Sequence, residues 1–359
     1  MYLKRMKRKK IIVDLSILKN INCGLGQVAL NYGKYFKQYY SVRENYDLYL
    51  LLPKKMIGDF GSEVKYISSN WWRKHFPILI PKFDVWHSIH QLSRFRPIYR
   101  RTKLILTIHD FNFLYEKGDL KSGLYLKKMQ RKIDRADKII CISNFTKTET
   151  ERLTNLKSKK VEVIYNGVEQ FESDFSKQPD FIKKGKTYFF SIGEIKKKKN
   201  FHVLLPLMKM FPDKELYIAG KLGSPYAEQI KSDIESENIS NVSLVGEITN
   251  EERVWLYKNC EAFLFPSLLE GFGLPVIEAM NFGKPVFTTE ETSLMEIGGG
   301  LTYIWNNFEP TYMKDVLDEH LKTFYSTSIR AQQNIEYAKT FSYEKHMSEY
   351  LKVYNQLLK

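Results

Sequence analysis

Between residues 187 and 289 the chain alternates without a break between short β-branched or aromatic runs and longer stretches of helical periodicity. The runs at 187–192, 215–219, 242–245, 262–265 and 285–289 read as strands, with helices at 201–211, 226–237 and 250–258 between them. Strands joined by helices rather than tight turns imply a parallel sheet covered on both faces. The first half repeats the pattern more loosely, with strands at 11–15, 46–53, 64–67, 83–87, 103–108, 137–143 and 161–164. Tyr165-Asn166-Gly167-Val168 closes that half with a turn signal, and 169–186 is polar, aperiodic and interrupted by Pro179 and Gly185. The expected fold class is therefore α/β. Two Rossmann-like, doubly wound domains, 1–168 and 187–340, face each other across a cleft, with a linker at 169–186. A last helix occupies 341–359, with Ser342 as its N-cap. A chain of 359 residues suits two such domains. Neither half carries G-x-G-x-x-G, which weakens a dehydrogenase reading.

Lys and Arg number 56 against 41 Asp and Glu, a net charge of +15. Such a bias fits nucleic acid, an anionic membrane surface or phosphorylated substrates. No zinc finger, RNP motif or basic heptad array supports the first. The three cysteines, Cys23, Cys141 and Cys260, are dispersed, which indicates a reducing compartment and no zinc site. No apolar run approaches the ~20 residues needed to span a bilayer. The basic N-terminus leads into a short β-branched run that Asp14 interrupts, so it reads as a first strand rather than a signal peptide. Trp71-Trp72-Arg73-Lys74-His75-Phe76-Pro77 reads first as core and second as a loop facing an acceptor or a membrane. His87 and His90 lack a third ligand at usable spacing, so they are read as structural or acceptor-facing rather than as a metal site.

The stretch after the strand at 262–265 carries the chemistry. Pro266 and Ser267 end the strand, Glu270-Gly271-Phe272-Gly273-Leu274 forms a glycine-bracketed loop, and Pro275 suits the first position of a helix. Gly283 and Pro285 then stop that helix. A strand, a glycine loop and a helix N-terminus together bind phosphate. Two carboxylates in such a site, Glu270 and Glu278, suit sugar hydroxyls, because a carboxylate accepts both protons of a vicinal diol. A diphosphate flanked by a ribose and a transferable hexose satisfies every element, so the ligand read from these residues is a nucleotide-sugar.

The string EGFGLPVIE resembles the paired-glutamate signature of glycosyltransferase family 4, the retaining GT-B enzymes. The resemblance covers essentially the whole chain and is strongest from Ser191 to Glu296. It implies a GT-B fold, a donor held mainly by the second domain, an acceptor held mainly by the first, and a last helix that crosses back to the first. It implies that Glu270, with Gly271 and Phe272, holds the transferred sugar and that Glu278 holds the ribose. Donor diphosphate then falls to Lys198, Lys199 and Asn200, to Gly273 and Leu274, and to Gly24, Leu25 and Gly26 after the first strand. His109, in TIHDFNFLY, matches the family histidine that contacts the transferred sugar, so His109 and Glu270 are the expected catalytic pair. Many members carry an arginine directly after the glycine of the lysine loop; this chain has Glu194 there, and Lys198 is the expected substitute.

The function expected is transfer of a hexose, with GDP-mannose as first choice of donor, to a saccharide or polyprenyl-linked acceptor in surface polysaccharide synthesis. The resemblance implies retention of configuration, and no metal or other cofactor is expected. The protein is expected in the cytoplasm, peripheral to the inner face of the cell membrane, without a nucleic-acid partner. The alternatives are a sugar-nucleotide epimerase of GT-B fold and, behind it, a basic nucleic-acid-binding protein.

Overall fold

The computed structural model describes residues 8–21, 23–40, 45–116, 118–170 and 175–359. Its strands are β1 (Lys9–Asp14), β2 (Tyr46–Leu52), β3 (Lys65–Ser68), β4 (Val85–Ser88), β5 (Lys103–Ile108), β6 (Lys138–Cys141), β7 (Val161–Val163), β8 (Tyr188–Ile192), β9 (Glu215–Ala219), β10 (Val242–Gly246), β11 (Ala262–Phe265), β12 (Val286–Thr288) and β13 (Tyr303–Ile304). Its α-helices are α1 (Gly24–Tyr39), α2 (Trp71–His75), α3 (Phe113–Glu116), α4 (Asp119–Arg135), α5 (Asn144–Leu153), α6 (Leu204–Lys209), α7 (Pro225–Ser236), α8 (Asn250–Asn259), α9 (Leu274–Asn281), α10 (Leu294–Gly298), α11 (Pro310–Tyr325), α12 (Ile329–Lys339) and α13 (Tyr343–Leu358). Both sheets are parallel and doubly wound, in the orders β3-β2-β1-β4-β5-β6-β7 and β10-β9-β8-β11-β12-β13. The central strands read as apolar runs because helices cover both of their faces.

The chain divides into two compact units, 1–167 with 343–359 and 168–342. The segment expected as a linker, 169–186, belongs to the second unit where it is described; 171–174 and the N-terminal 1–7 lie outside the described residues. Lys183 ties the segment to that unit. Lys183 N donates to Tyr217 Oη at 3.0 Å, and Lys183 Nζ donates to Glu215 at 2.8 Å and to the Ser240 carbonyl at 2.9 Å.

Two elements depart from the sequence expectation. The helix expected over 201–211 is a 3-10 turn, Phe201–Val203, followed by the short α6, because Asn200 sits in the left-handed region just before it (φ 58°). The patch from Trp71 to Pro77 is not core. α2 and the turn after it leave Trp71, Trp72 and Phe76 exposed.

α13 is fastened to the first unit by a buried polar network. His87 stands between Tyr354 Oη (2.7 Å) and Thr107 Oγ1 (2.9 Å), and Thr107 Oγ1 also meets Tyr350 Oη at 2.8 Å. His346 Nδ1 donates to the Tyr165 carbonyl at 2.6 Å, which leaves Nε2 to accept from Tyr32 Oη at 3.0 Å. Among the described residues no helix is long and apolar enough to cross a membrane.

Burial holds these histidines neutral. It lowers His346 to about 4 and His87 well below its ordinary value; His90, lowered to about 3, and His109, lowered to about 4, behave alike. A folded pKa below the unfolded value of ~6.5 means that, as pH falls below ~6.5, the unfolded chain takes up protons the native state refuses. Stability is then complete above pH ~6.5 and lost towards pH 4, at up to ~1.4 kcal/mol per pH unit for each histidine. Thermal unfolding from pH 7.5 to 5.0 is expected to show a falling midpoint, with a shallower slope for His346→Gln. A midpoint unchanged over that range contradicts the account.

Candidate functional site

In the second sheet the chain leaves β8, builds β9 and β10 on one side, then returns to place β11 on the other. The loops after β8 and β11 therefore part company at a topological switch point, where open α/β sheets bind ligands beyond the strand C-termini. The two loops are joined through backbone, Leu268 N donating to the Lys198 carbonyl at 2.8 Å. Gly193, Lys198, Lys199, Asn200, Glu270 and Gly273 are all brought to this point.

Glycine is required on both loops. Just past β9, a Cβ on Gly220 would stand 1.9 Å from the carbonyl oxygen of Gly193 on the first loop, and on the second a Cβ on Gly273 would stand 2.8 Å from Leu294 Cδ2, with φ at 101°. Gly273 starts α9 without a side-chain cap, and Pro275 in the first turn has no N–H to satisfy.

Lys199 is buried and forms an ion pair with Glu270 Oε1, with its ammonium 4.8 Å above the Phe265 ring. Ser267 Oγ donates to the same carboxylate at 2.8 Å. Glu270 N donates to Thr292 Oγ1 at 3.0 Å, and Ser293 Oγ donates to the carbonyls of Glu270 (3.1 Å) and Phe272 (3.0 Å). Thr292 has φ 57°, a costly conformation for a β-branched residue, tolerated where surrounding contacts impose it. Phe272 buries its ring against Phe341 at 5.8 Å, so its side chain fastens the loop.

Glu278 lies one helix further along. Tyr257 Oη donates to its Oε2 at 2.9 Å and Arg253 pairs with its Oε1 at 3.4 Å, both from α8. Asn200 is buried, and its side-chain nitrogen has no hydrogen-bond partner among the described residues. An orphaned buried donor is uncommon and calls for an explanation such as a missing ligand. Lys196 is exposed and pairs with Glu194 at 2.7 Å.

In the first sheet the switch point falls between β1 and β4. Gly24, Leu25 and Gly26 form the first turn of α1, where a Cβ on Gly26 would lie 2.1 Å from the Asn20 carbonyl oxygen. Gly26 N donates to Cys23 Sγ at 3.4 Å, so close packing already accounts for this glycine. His109, just past β5, donates from Nε2 to the Ile89 carbonyl at 2.7 Å. That bond fixes the neutral tautomer with Nδ1 as acceptor. The end of β1 carries Asp14, whose carboxyl burial pushes up, and Ser93 from the loop after β4 donates to it. Lys132 from α4 is lowered to about 8 by burial, and its Nζ has no hydrogen-bond partner among the described residues. Among the described residues no three His, Cys, Asp or Glu side chains gather to hold a metal ion.

Two family models match this chain: "Glycosyl transferases group 1" over 172–341 and "Glycosyltransferase Family 4" over 52–170. The chain belongs to glycosyltransferase family 4. It is 25% identical over 305 residues to the O-antigen chain mannosyltransferase RfbU of Salmonella typhimurium, covering 78% of this chain and 82% of that one. It is 28% identical over 257 residues to an uncharacterized glycosyltransferase of Methanocaldococcus jannaschii, covering 70% and 68%. Among solved structures, Anabaena HepE in complex with UDP and glucose superposes with a TM-score of 0.72 at 16% identity, covering 97% and 100%. A sucrose-phosphate synthase from Thermosynechococcus elongatus gives 0.72 at 15% identity, covering 98% and 99%. The protein is a glycosyltransferase of GT-B fold.

In this family 4 glycosyltransferase the signature glutamates are held by Thr292, Arg253 and Tyr257, which sequence reading did not single out, and by Ser267, which it read only as the end of a strand. Lys132 went unnoticed because a lysine on a helix is usually solvated, and local sequence does not show that this ammonium is buried.

Removing one member of a buried ion pair leaves the other charge uncompensated, at a cost of about 3 kcal/mol or more. Lys199→Met in this glycosyltransferase is expected to lower the unfolding midpoint accordingly, and adding Glu270→Gln is expected to recover much of the loss. Urea unfolding of the two single variants and the double variant measures the coupling. Simply additive losses would show that the pair is not coupled.

Proposed function

We propose that this glycosyltransferase moves a hexose from a nucleoside diphosphate sugar to a saccharide or polyprenyl-linked acceptor in surface polysaccharide synthesis, with retention of configuration and without a metal. The observation that carries the donor class is the pairing of two supported carboxylates with a lysine loop and an uncapped helix entrance at one switch point. Mannose, carried as GDP-mannose, is the first choice because relatives such as RfbU are named as mannosyltransferases of O-antigen chains. HepE is described with UDP and glucose, so the base is chosen by likeness to the mannosyltransferases and not by fold.

In this reading, departure of the nucleoside diphosphate is assisted by Lys199, Lys198, the Asn200 amide and backbone N–H groups at Gly273 and Leu274. Fixed donors of this kind stabilise developing phosphate charge because they need no reorganisation. Glu270, with the loop backbone at Gly271 and Phe272, holds the transferred sugar. Its contact with Lys199 brings the sugar-binding and phosphate-binding charges together. Glu278 takes the ribose diol, oriented by Tyr257 and Arg253. His109 and the Gly24, Leu25 and Gly26 turn enter through the family resemblance. The neutral His109 offers an acceptor, Nδ1, to a sugar hydroxyl. No side chain stands out as a covalent nucleophile, so attack proceeds on the face the leaving phosphate vacates, and that phosphate takes the acceptor's proton.

The test separates the glutamates. Glu278→Gln is expected to weaken donor and free nucleoside diphosphate alike, since both present the ribose. Glu270→Gln is expected to leave nucleoside diphosphate binding nearly intact while lowering kcat. Calorimetry with GDP and turnover on a panel of GDP- and UDP-sugars, in excess EDTA and scored by product mass and linkage NMR, gives both quantities. Equal weakening of free nucleotide by both variants overturns the assignment of roles. Loss of wild-type turnover in EDTA, restored by manganese, overturns the metal-free mechanism.

A further inference from the structure

We infer that the first unit carries a docking surface for an anionic membrane, built from residues 71–82 and 94–101. The inference rests on that surface alone and stands whether or not the donor and acceptor proposed above are right. Trp71, Trp72, Ile78 and Leu79 are 57%, 60%, 65% and 51% exposed, and Phe76 is about half exposed. Five large apolar side chains this open within nine residues form a patch of the kind that marks an interaction site.

The patch is ordered. Asn70 caps α2 by accepting from Arg73 N at 2.9 Å, and Arg73 Nη1 donates to Ser68 Oγ at 2.6 Å, fastening the helix to the end of β3. Trp71 packs against His75 with ring centroids 4.5 Å apart, and Trp72 stacks on Phe76 at 6.0 Å. The second segment lies alongside, since Pro77, Ile80 and Pro81 share a shallow crevice with Arg96, Pro97, Ile98 and Tyr99. Arg135 pins its backbone by donating to the carbonyls of Tyr99 (3.2 Å) and Arg100 (3.3 Å).

Charge accompanies the apolar face. From 70 to 101 there are seven Lys and Arg (73, 74, 82, 94, 96, 100 and 101) and one acid, Asp84: 7 − 1 = +6 of the chain's +15. Asp84 Oδ2 accepts from Lys10 N at 2.8 Å, so its charge is already engaged. Lys82, Arg94, Arg96, Arg100 and Arg101 are exposed.

Tryptophan beside lysine and arginine is the composition of a membrane interface: indole sits at headgroup level, and basic heads meet anionic lipid. Single-stranded nucleic acid fits less well. Ile78, Leu79 and Ile98, which make up much of the apolar face, give bases nothing to stack on.

The test is flotation of the full chain with vesicles of phosphatidylcholine containing 30% phosphatidylglycerol, against phosphatidylcholine alone. The wild type is expected to bind the anionic vesicles at least tenfold more strongly and to release in high salt. Trp71→Ser with Trp72→Ser, and separately Arg100→Gln with Arg101→Gln, are each expected to lower the partition coefficient roughly tenfold or more, with unchanged thermal midpoints. Three results overturn the inference: no binding of the wild type to anionic vesicles, binding unaffected by the tryptophan pair, or binding only to a soluble protein or polyanion such as heparin.

Discussion

A buried ion pair organises the second unit's site. Lys199 and Glu270 come from loops following two different strands, and they can meet only because β8 and β11 are neighbours in the sheet. Neither charge is tolerable there alone. Glycine at 193 leaves room for the lysine, since a Cβ there would lie 3.2 Å from Lys199 Cε. Hydroxyls of Ser267, Thr292 and Ser293 then fix the loop that carries the glutamate. The carboxylate proposed to hold the sugar and the ammonium proposed to hold the phosphate are thereby fixed relative to one another by the protein itself, and such preorganisation is what electrostatic catalysis requires.

The parts of this arrangement written in local sequence were legible. The run 262–265 ended by Pro266, the glycine bracket and Pro275 mark a strand, a loop and a helix start, and β11 and α9 stand there. Parallel alternation likewise follows from short apolar runs spaced by helices. What local sequence does not carry is pairing across the sheet. Lys199 reaches Glu270 over 71 positions and Tyr257 reaches Glu278 over 21, so the partners emerge only with strand order. The network of α13 is more extreme, with Tyr354 and His87 separated by 267 positions.

Composition misled at the first unit's aromatic patch. Two adjacent tryptophans read as core because large apolar residues are usually covered. The Asn70 cap and the Pro77 turn instead hold a short helix on the surface, and the surrounding cations were the clue that its apolar face meets something other than protein interior. The same excess of positive charge has a different use at the lysine loop, where Lys199 is buried and specific while Lys196 is exposed and paired with Glu194.

The central claim is that the diphosphate of the donor sits where the loops after β8 and β11 diverge. Hydrogen–deuterium exchange with and without GDP measures this directly. The account predicts slowed exchange concentrated in 193–200 and 266–278, with β9, β10 and α11 of the same unit unchanged. Unaltered exchange in both loops at saturating GDP, with protection at any other part of that unit, would contradict it.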